Sequence, residues 1–234
     1  MSRTIAVVQA RLGSQRFPEK MLALLGGKPL IEWVVTRVRT STLVDRVVVA
    51  TTRETLDDRL VAECDRLGVD VKRGPTDDVL RRFVEALEGD GADAVVRVCA
   101  DNPFIDGECI DRVIAEYRQH RVDYAFNHRP FAECNYADGF GAEVVSHEVL
   151  ERLNRMELTA AHREHVTLAV VDGTLPVHRH ACVAPDYLAY PELRFDVDKP
   201  ADLATLQELV DDSGLTFGAT ARDVVHAARQ RGTR

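Results

Sequence analysis

Short apolar runs rich in β-branched residues recur along the first half of this chain, at 4–8, 46–51, 69–71, 94–99 and 122–126. Runs of that length, bounded by turn residues, read as strands buried on both faces. The first four are each followed by apolar residues at helical spacing. Pro29 suits a first helical position ahead of Leu30, Ile31, Val34, Val35 and Val38. Thr55 can cap a helix with Leu56, Leu60, Val61, Cys64 and Leu67 inside, ended by Gly68. Val79, Leu80, Phe83 and Leu87 line a third helix over 77–87, and Ile110, Val113, Ile114 and Tyr117 a fourth. Strands alternating with helices in this way require crossover connections. They predict a largely parallel, Rossmann-like sheet with helices on both faces, a three-layer α/β/α fold.

Past Asn127 the rhythm changes. Residues 131–141 read as a loop, 142–145 as an inserted or antiparallel strand, and 148–155 and 160–171 as helices. A polar, alternating strand is expected at 175–183 and a last strand at 193–198. Pro200 then opens a helix, and 219–231 forms another, packed on the core or on a second subunit. No internal repeat or low-complexity linker interrupts the chain. The expected organisation is one domain over 1–234 with a small inserted subregion at about 128–192.

A net charge of −8 argues against a nucleic-acid-binding surface, which needs a broad basic face. The five scattered cysteines contain no Cys-x-x-Cys pair, so neither a disulfide framework nor a zinc knuckle is suggested. No apolar run of membrane-spanning length is present, and the start leads straight into a strand, so a cytoplasmic location is expected.

Three cations, Arg11, Arg16 and Lys20, fall within ten residues just after the first strand, in a loop with Gly13 and Ser14. Ligands of open α/β sheets collect beyond the carboxyl ends of strands. There a small-residue turn can aim backbone N–H groups at an anion while arginines fork onto phosphate oxygens. By composition alone, the loop reads equally well as a triphosphate cradle or as a solvated basic loop. It is neither a Walker A nor a Gly-x-Gly-x-x-Gly motif. Asp101 follows the fourth strand, at another carboxyl end, and reads either as an Asp-Asn-Pro turn or as a magnesium ligand. Asp196 and Asp198, two apart on the last expected strand, would share a face; they serve either a metal or the N-terminus of the Pro200 helix. His178 and His180 share one strand face without a third metal ligand.

Residue order narrows these alternatives. Gln9-Ala10-Arg11, then Ser14, Arg16, Pro18 and Lys20, resembles the signature of the CMP-sugar-acid synthetases, most closely that of the SpsF-type cytidylyltransferases of spore-coat polysaccharide biosynthesis. The resemblance extends to about Leu206. It implies a nucleotide-diphospho-sugar transferase fold and a magnesium-dependent transfer of CMP from CTP to an acceptor, with release of pyrophosphate. By the same resemblance, Arg11, Arg16, Lys20 and Asp101 are catalytic, and Asp101 and Asp198 bind Mg2+. Gln9, Ala10, Gly13, Ser14, Arg73, Asp78 and Arg82 contact the nucleotide, Arg73 being the expected cytosine contact. Asn127, Glu143, Arg163, Glu164 and His165 surround the acceptor. The family usually has Asp where Gly141 stands and Arg where Asp138 stands. The acceptor is expected to be a sugar acid, a sugar or polyol phosphate, or a phosphonate, with Arg163 and Arg194 available to an anion. Two rival functions are a glycosyltransferase using a nucleotide sugar on the same fold, and a catalytically idle nucleotide-binding protein. Homodimers are common among the resembled synthetases, so a second copy of the chain is a candidate partner; neither nucleic acid nor membrane is.

Overall fold

The computed structural model of the protein describes residues 3–128 and 134–232; residues 131–133 of the expected 131–141 loop lie outside that range. In chain order come β1 (Thr4–Gln9), the two-residue strands β2 (Leu24–Leu25) and β3 (Lys28–Pro29), α1 (Leu30–Val38), β4 (Arg46–Thr52), α2 (Asp58–Arg66), β5 (Asp70–Gly74), α3 (Val79–Leu87), β6 (Ala94–Cys99) and α4 (Gly107–His120). There follow β7 (Tyr124–Phe126), β8 (Glu143–Ser146), α5 (His147–Arg155), α6 (Ala160–Glu164), α7 (Leu168–Val171), β9 (Arg179–Ala181), α8 (Pro200–Ser213) and α9 (Ala221–Gly232).

The described residues build a seven-stranded sheet in the order β5-β4-β1-β6-β8-β7-β9, with a separate β2–β3 hairpin. β1 pairs in parallel with β4 on one side and β6 on the other, so Val7 faces Val48 and Arg97. β8 runs antiparallel to both β6 and β7. Side chains alternate through β1: Ala6 and Val8 join a core with α1, α2 and α4, while Ile5 and Val7 join a second core with α3, α5 and α7. A third apolar cluster, around Trp33, Phe104, Phe140 and Phe195, seats α8 and α9 against α1. The three-layer α/β/α arrangement is therefore the one expected from the sequence.

Strand order decides where a ligand can bind. From β1 the chain steps outward to β4 and β5, then returns to add β6 on the opposite side of β1. The crevice at such a reversal lies beyond the carboxyl ends of the two strands that flank it, here β1 and β6.

Three expectations need correction. Residues 193–198 are not a sheet strand: Phe195 and Val197 are buried and alternate with less buried polar neighbours, but among the described residues the segment makes only an isolated bridge, between Asp138 and Arg194. The expected strand at 175–183 shortens to β9, an edge strand of three residues beside β7. The single helix expected at 160–171 breaks into α6 and α7, with His165 between them in an extended conformation, φ −106° and ψ 90°.

Candidate active site

The loop after β1 is fixed from below. Leu12 is fully buried, and its N–H donates to Asp57 Oδ1 at 2.7 Å. Its carbonyl accepts from the amides of Ser14 (2.8 Å) and Glu19 (3.0 Å), closing the loop on itself. Glu19 takes a left-handed conformation, φ 56°, which turns the chain so that Lys20 points inward, 8% exposed. A Cβ built on Gly13 would meet no protein atom within 4 Å. Packing does not demand glycine there, and the bare backbone remains approachable from the cleft.

Opposite stand the acids. Lys20 Nζ donates to the carbonyl of Val197 at 2.5 Å and faces Asp101 Oδ2 at 3.7 Å. The amide of Val197 donates to the carbonyl of Asp101 at 2.8 Å, so the 193–198 segment is a strap across the end of β6. Asp198 leaves the strap to accept from Arg16 Nη1 at 2.9 Å. Burial pushes the Asp101 carboxyl above its ordinary value; Lys20 opposes this, while Asp198 and Asp196 reinforce it. Carboxylates that repel one another on the floor of a cleft are a hard-oxygen donor set suited to a divalent cation such as magnesium. Asp196 has both oxygens on Arg194, at 3.0 and 2.7 Å, and is occupied.

Between loop and strap lies a cleft of about 690 Å³. Of the residues singled out in the sequence, Gln9, Ala10, Arg11, Gly13, Ser14, Arg16, Lys20, Asp101, Glu164, His165 and Asp198 line it. Arg11 Nη2 reaches Glu164 at 3.3 Å, joining the β1 loop to the end of α6. The helix break after Glu164 is what turns His165 into the cleft.

Other expected site residues sit elsewhere. Arg73 is consumed by the carbonyls of Thr52 and Glu54 and by Asp58, and does not line the cleft. Asp78 caps α3 through the amide of Arg81 and pairs with Arg163 at 3.5 Å. Arg163 also donates to Asn154 and to the Met156 carbonyl, and Arg194 pairs with Asp196 and Asp138; neither lines the cleft. Asn127 is fully buried and ties the end of β7 to the Phe140 carbonyl and the Ala142 amide. Arg82 is 1% exposed; Nη1 donates to the Pro75 carbonyl, while Nε and Nη2 have no partner among the described residues. Burial, then the nearby Arg11, lowers its pKa. Glu143 lies beneath the cleft, joined to Arg97, Tyr124 and Thr167.

Sequence reasoning missed Asp57, Asp77, Arg97 and Cys99. Asp77, Arg97 and Cys99 line the cleft. The alternation of β6 places Arg97 and Cys99 on one face, a signal legible once that strand's carboxyl end is taken as the site. Burial pushes the Cys99 thiol up to about 11, so it stays protonated and is no nucleophile at neutral pH. Packing demands glycine at 141, where a Cβ would stand 2.5 Å from the Cβ of His128.

Comparison with known proteins identifies the family. The chain is 30% identical over 230 residues to the spore coat polysaccharide biosynthesis protein SpsF of Bacillus subtilis, spanning 96% of this chain and 93% of that protein. A 3-deoxy-manno-octulosonate cytidylyltransferase of Bdellovibrio bacteriovorus is 36% identical over 113 residues, 47% of this chain and 44% of its own length. A solved cytidylyltransferase structure from Leptospira borgpetersenii superposes with a TM-score of 0.89 at 25% identity, over 100% of this chain and 96% of that one. A CMP:2-keto-3-deoxy-manno-octonic acid synthetase, complexed with CTP, shares the fold at a TM-score of 0.65 and 18% identity, covering 90% of this chain and 99% of that one. No helix among the described residues is long and apolar enough to cross a membrane. The cytidylyltransferase family profile matches residues 5–220, and the chain belongs to that family.

Proposed function

We propose that this chain transfers CMP from CTP to an oxygen of an anionic acceptor (a sugar acid, a sugar or polyol phosphate, or a phosphonate) and releases pyrophosphate. One juxtaposition carries the proposal: Arg11, Arg16 and Lys20 from the β1 loop line the same cleft as Asp101 and Asp198, which come from far along the chain.

Lys20 is anchored on the Val197 carbonyl, so its charge stays where the β- and γ-phosphates would lie. Arg16, whose side chain is 72% exposed, is free to exchange Asp198 for phosphate oxygens when a triphosphate enters. Gln9, Ala10, Gly13 and Ser14 wall the nucleotide side, backed by Arg82; Glu164 and His165 close the cleft opposite. Asp101 and Asp198 would hold magnesium, which when bound offsets negative charge on the phosphate oxygens. The acceptor oxygen attacks the α-phosphorus, the bond from that phosphorus to the β-bridging oxygen breaks, and pyrophosphate departs with its charge held on the loop cations.

A thermal-shift panel of nucleoside triphosphates with magnesium, followed by pyrophosphate release with CTP and candidate acceptors, tests the proposal. CTP should give the largest shift, and Asp101→Asn should abolish turnover. A response led by a purine nucleotide, or transfer without pyrophosphate release, would overturn it.

A further inference from the structure

We propose that Arg97 is the anion anchor of the acceptor subsite, and that the acceptor docks a carboxylate or phosphate on the edge of this guanidinium that lines the cleft. The inference rests on the nucleotidyl-transfer function proposed above and deepens it.

Arg97 lies on β6, facing Val7 of β1 on one side and Glu143 of β8 on the other. The phosphate-binding cations all come from the β1 loop. An acceptor must approach the α-phosphate from the side away from that loop, which is the β6–β8 side. Arg163 and Arg194, the cations that the sequence offers for an anionic acceptor, are engaged by other partners. Arg97 lines the cleft and is not fully used. Among the described residues Nη1 binds Glu143, Nε is buried with no hydrogen-bond partner, and Nη2 makes no hydrogen bond. Orphaned buried donors are uncommon in folded proteins, and one beside a cleft points to a ligand.

The guanidinium is also held ready. Glu143 is fixed by the Tyr124 hydroxyl at 2.8 Å and the Thr167 hydroxyl at 2.5 Å, with His128 Nε2 at 3.3 Å. Because four donors share that carboxylate, it neutralises Arg97 only in part. A rigid, half-satisfied arginine loses little freedom on binding an anion and can grip it through two N–H groups.

The test uses the full chain saturated with α,β-methylene-CTP and magnesium, titrated with gluconate against glucose and with glycerol 3-phosphate against glycerol, by ligand-observed NMR. At least one anionic probe should bind where its neutral counterpart does not, and the pair that responds separates carboxylate from phosphate. Arg97→Met should weaken that binding on the order of 10–100-fold, and Arg97→Lys should restore part of it. Affinity for the CTP analogue should stay within about twofold. Arg97→Met strands Glu143, so Arg97→Met/Glu143→Gln serves as a second variant with no buried unpaired charge. Anionic probes that bind no better than neutral ones, binding unchanged in both variants, or a loss confined to the CTP analogue would overturn the inference. Failure of the analogue to bind the unaltered protein strikes the nucleotide assignment itself, and this inference falls with it.

Discussion

Replacing Asp57 by Ala should detach the loop after β1 from the sheet. Asp57 is 1% exposed and accepts four hydrogen bonds, from the amides of Leu12 and Thr52 and the hydroxyls of Thr51 and Thr52. The hydroxyls can turn to other acceptors, but the Leu12 amide sits in a buried loop and would be stranded. Hydrogen bonds to a charged group contribute about 1.5–3 kcal/mol each, so simple addition gives roughly 6–12 kcal/mol. Bonds sharing one acceptor are not additive, and water entering the gap recovers part; breaking a buried charged network typically costs about 3–5 kcal/mol. With a urea m-value of about 3 kcal/mol/M for a chain of this size, the midpoint should fall by roughly 1–1.7 M. Asp57→Asn keeps an acceptor for Leu12 but turns an NH2 group toward the Thr52 amide, so it should lose about half as much. Urea denaturation followed by circular dichroism measures both, and CTP affinity should weaken in the same order. An Ala variant whose midpoint moves by less than about 0.3 M, or an Asn variant as damaged as the Ala one, would refute the anchoring role.

Asp101→Asn should stabilise the unliganded protein while removing turnover. The Asp101 carboxyl is held above its unfolded value, so the stability it contributes is present at low pH and lost as pH rises through the folded value. The gain in Tm should therefore be larger near pH ~8 than near pH ~4, read by differential scanning fluorimetry. Glu143 has the opposite sign. Its carboxyl is held at about 2 against an ordinary 4.5, mainly by Arg97 acting against desolvation. That shift is worth roughly 3 kcal/mol, present above about pH 4.5 and lost as pH falls toward 2. Urea titrations of the unaltered protein and Glu143→Gln should therefore diverge at neutral pH and converge in acid. Gly141→Asp should destabilise the protein by about 2 kcal/mol or more, because its Cβ meets that of His128. Pairing it with His128→Gly should recover most of the loss, measured by the same titration.

The α/β core was legible because its strands are buried on both faces, and such strands appear as unbroken β-branched runs such as Val47 to Ala50. The β1 loop was legible because its cations sit close together in sequence. The strap was misread as a strand: Phe195 and Val197 alternate with polar neighbours, which any half-buried extended segment does, and only a pairing partner separates the two. Asp57 left no signal at all. It stands among Glu54, Asp58 and other charged residues at a helix start, and its burial follows from the Leu12 loop folding onto it. The contacts of Arg73 were hidden for the converse reason, since Asp58 and the Thr52 and Glu54 carbonyls reach it from a distant part of the chain.

The bond from Lys20 to Val197 joins the two ends of the chain in time as well as in space. Synthesis delivers the amino-terminal strands first, and they can begin to pair as they leave the ribosome. Lys20 emerges with them, yet its carbonyl partner follows only after 176 further residues, so a nascent chain that has already formed its parallel core still has an unfinished cation pocket. A ribosome stalled before Val197 has emerged would therefore hold a folded sheet that does not retain CTP.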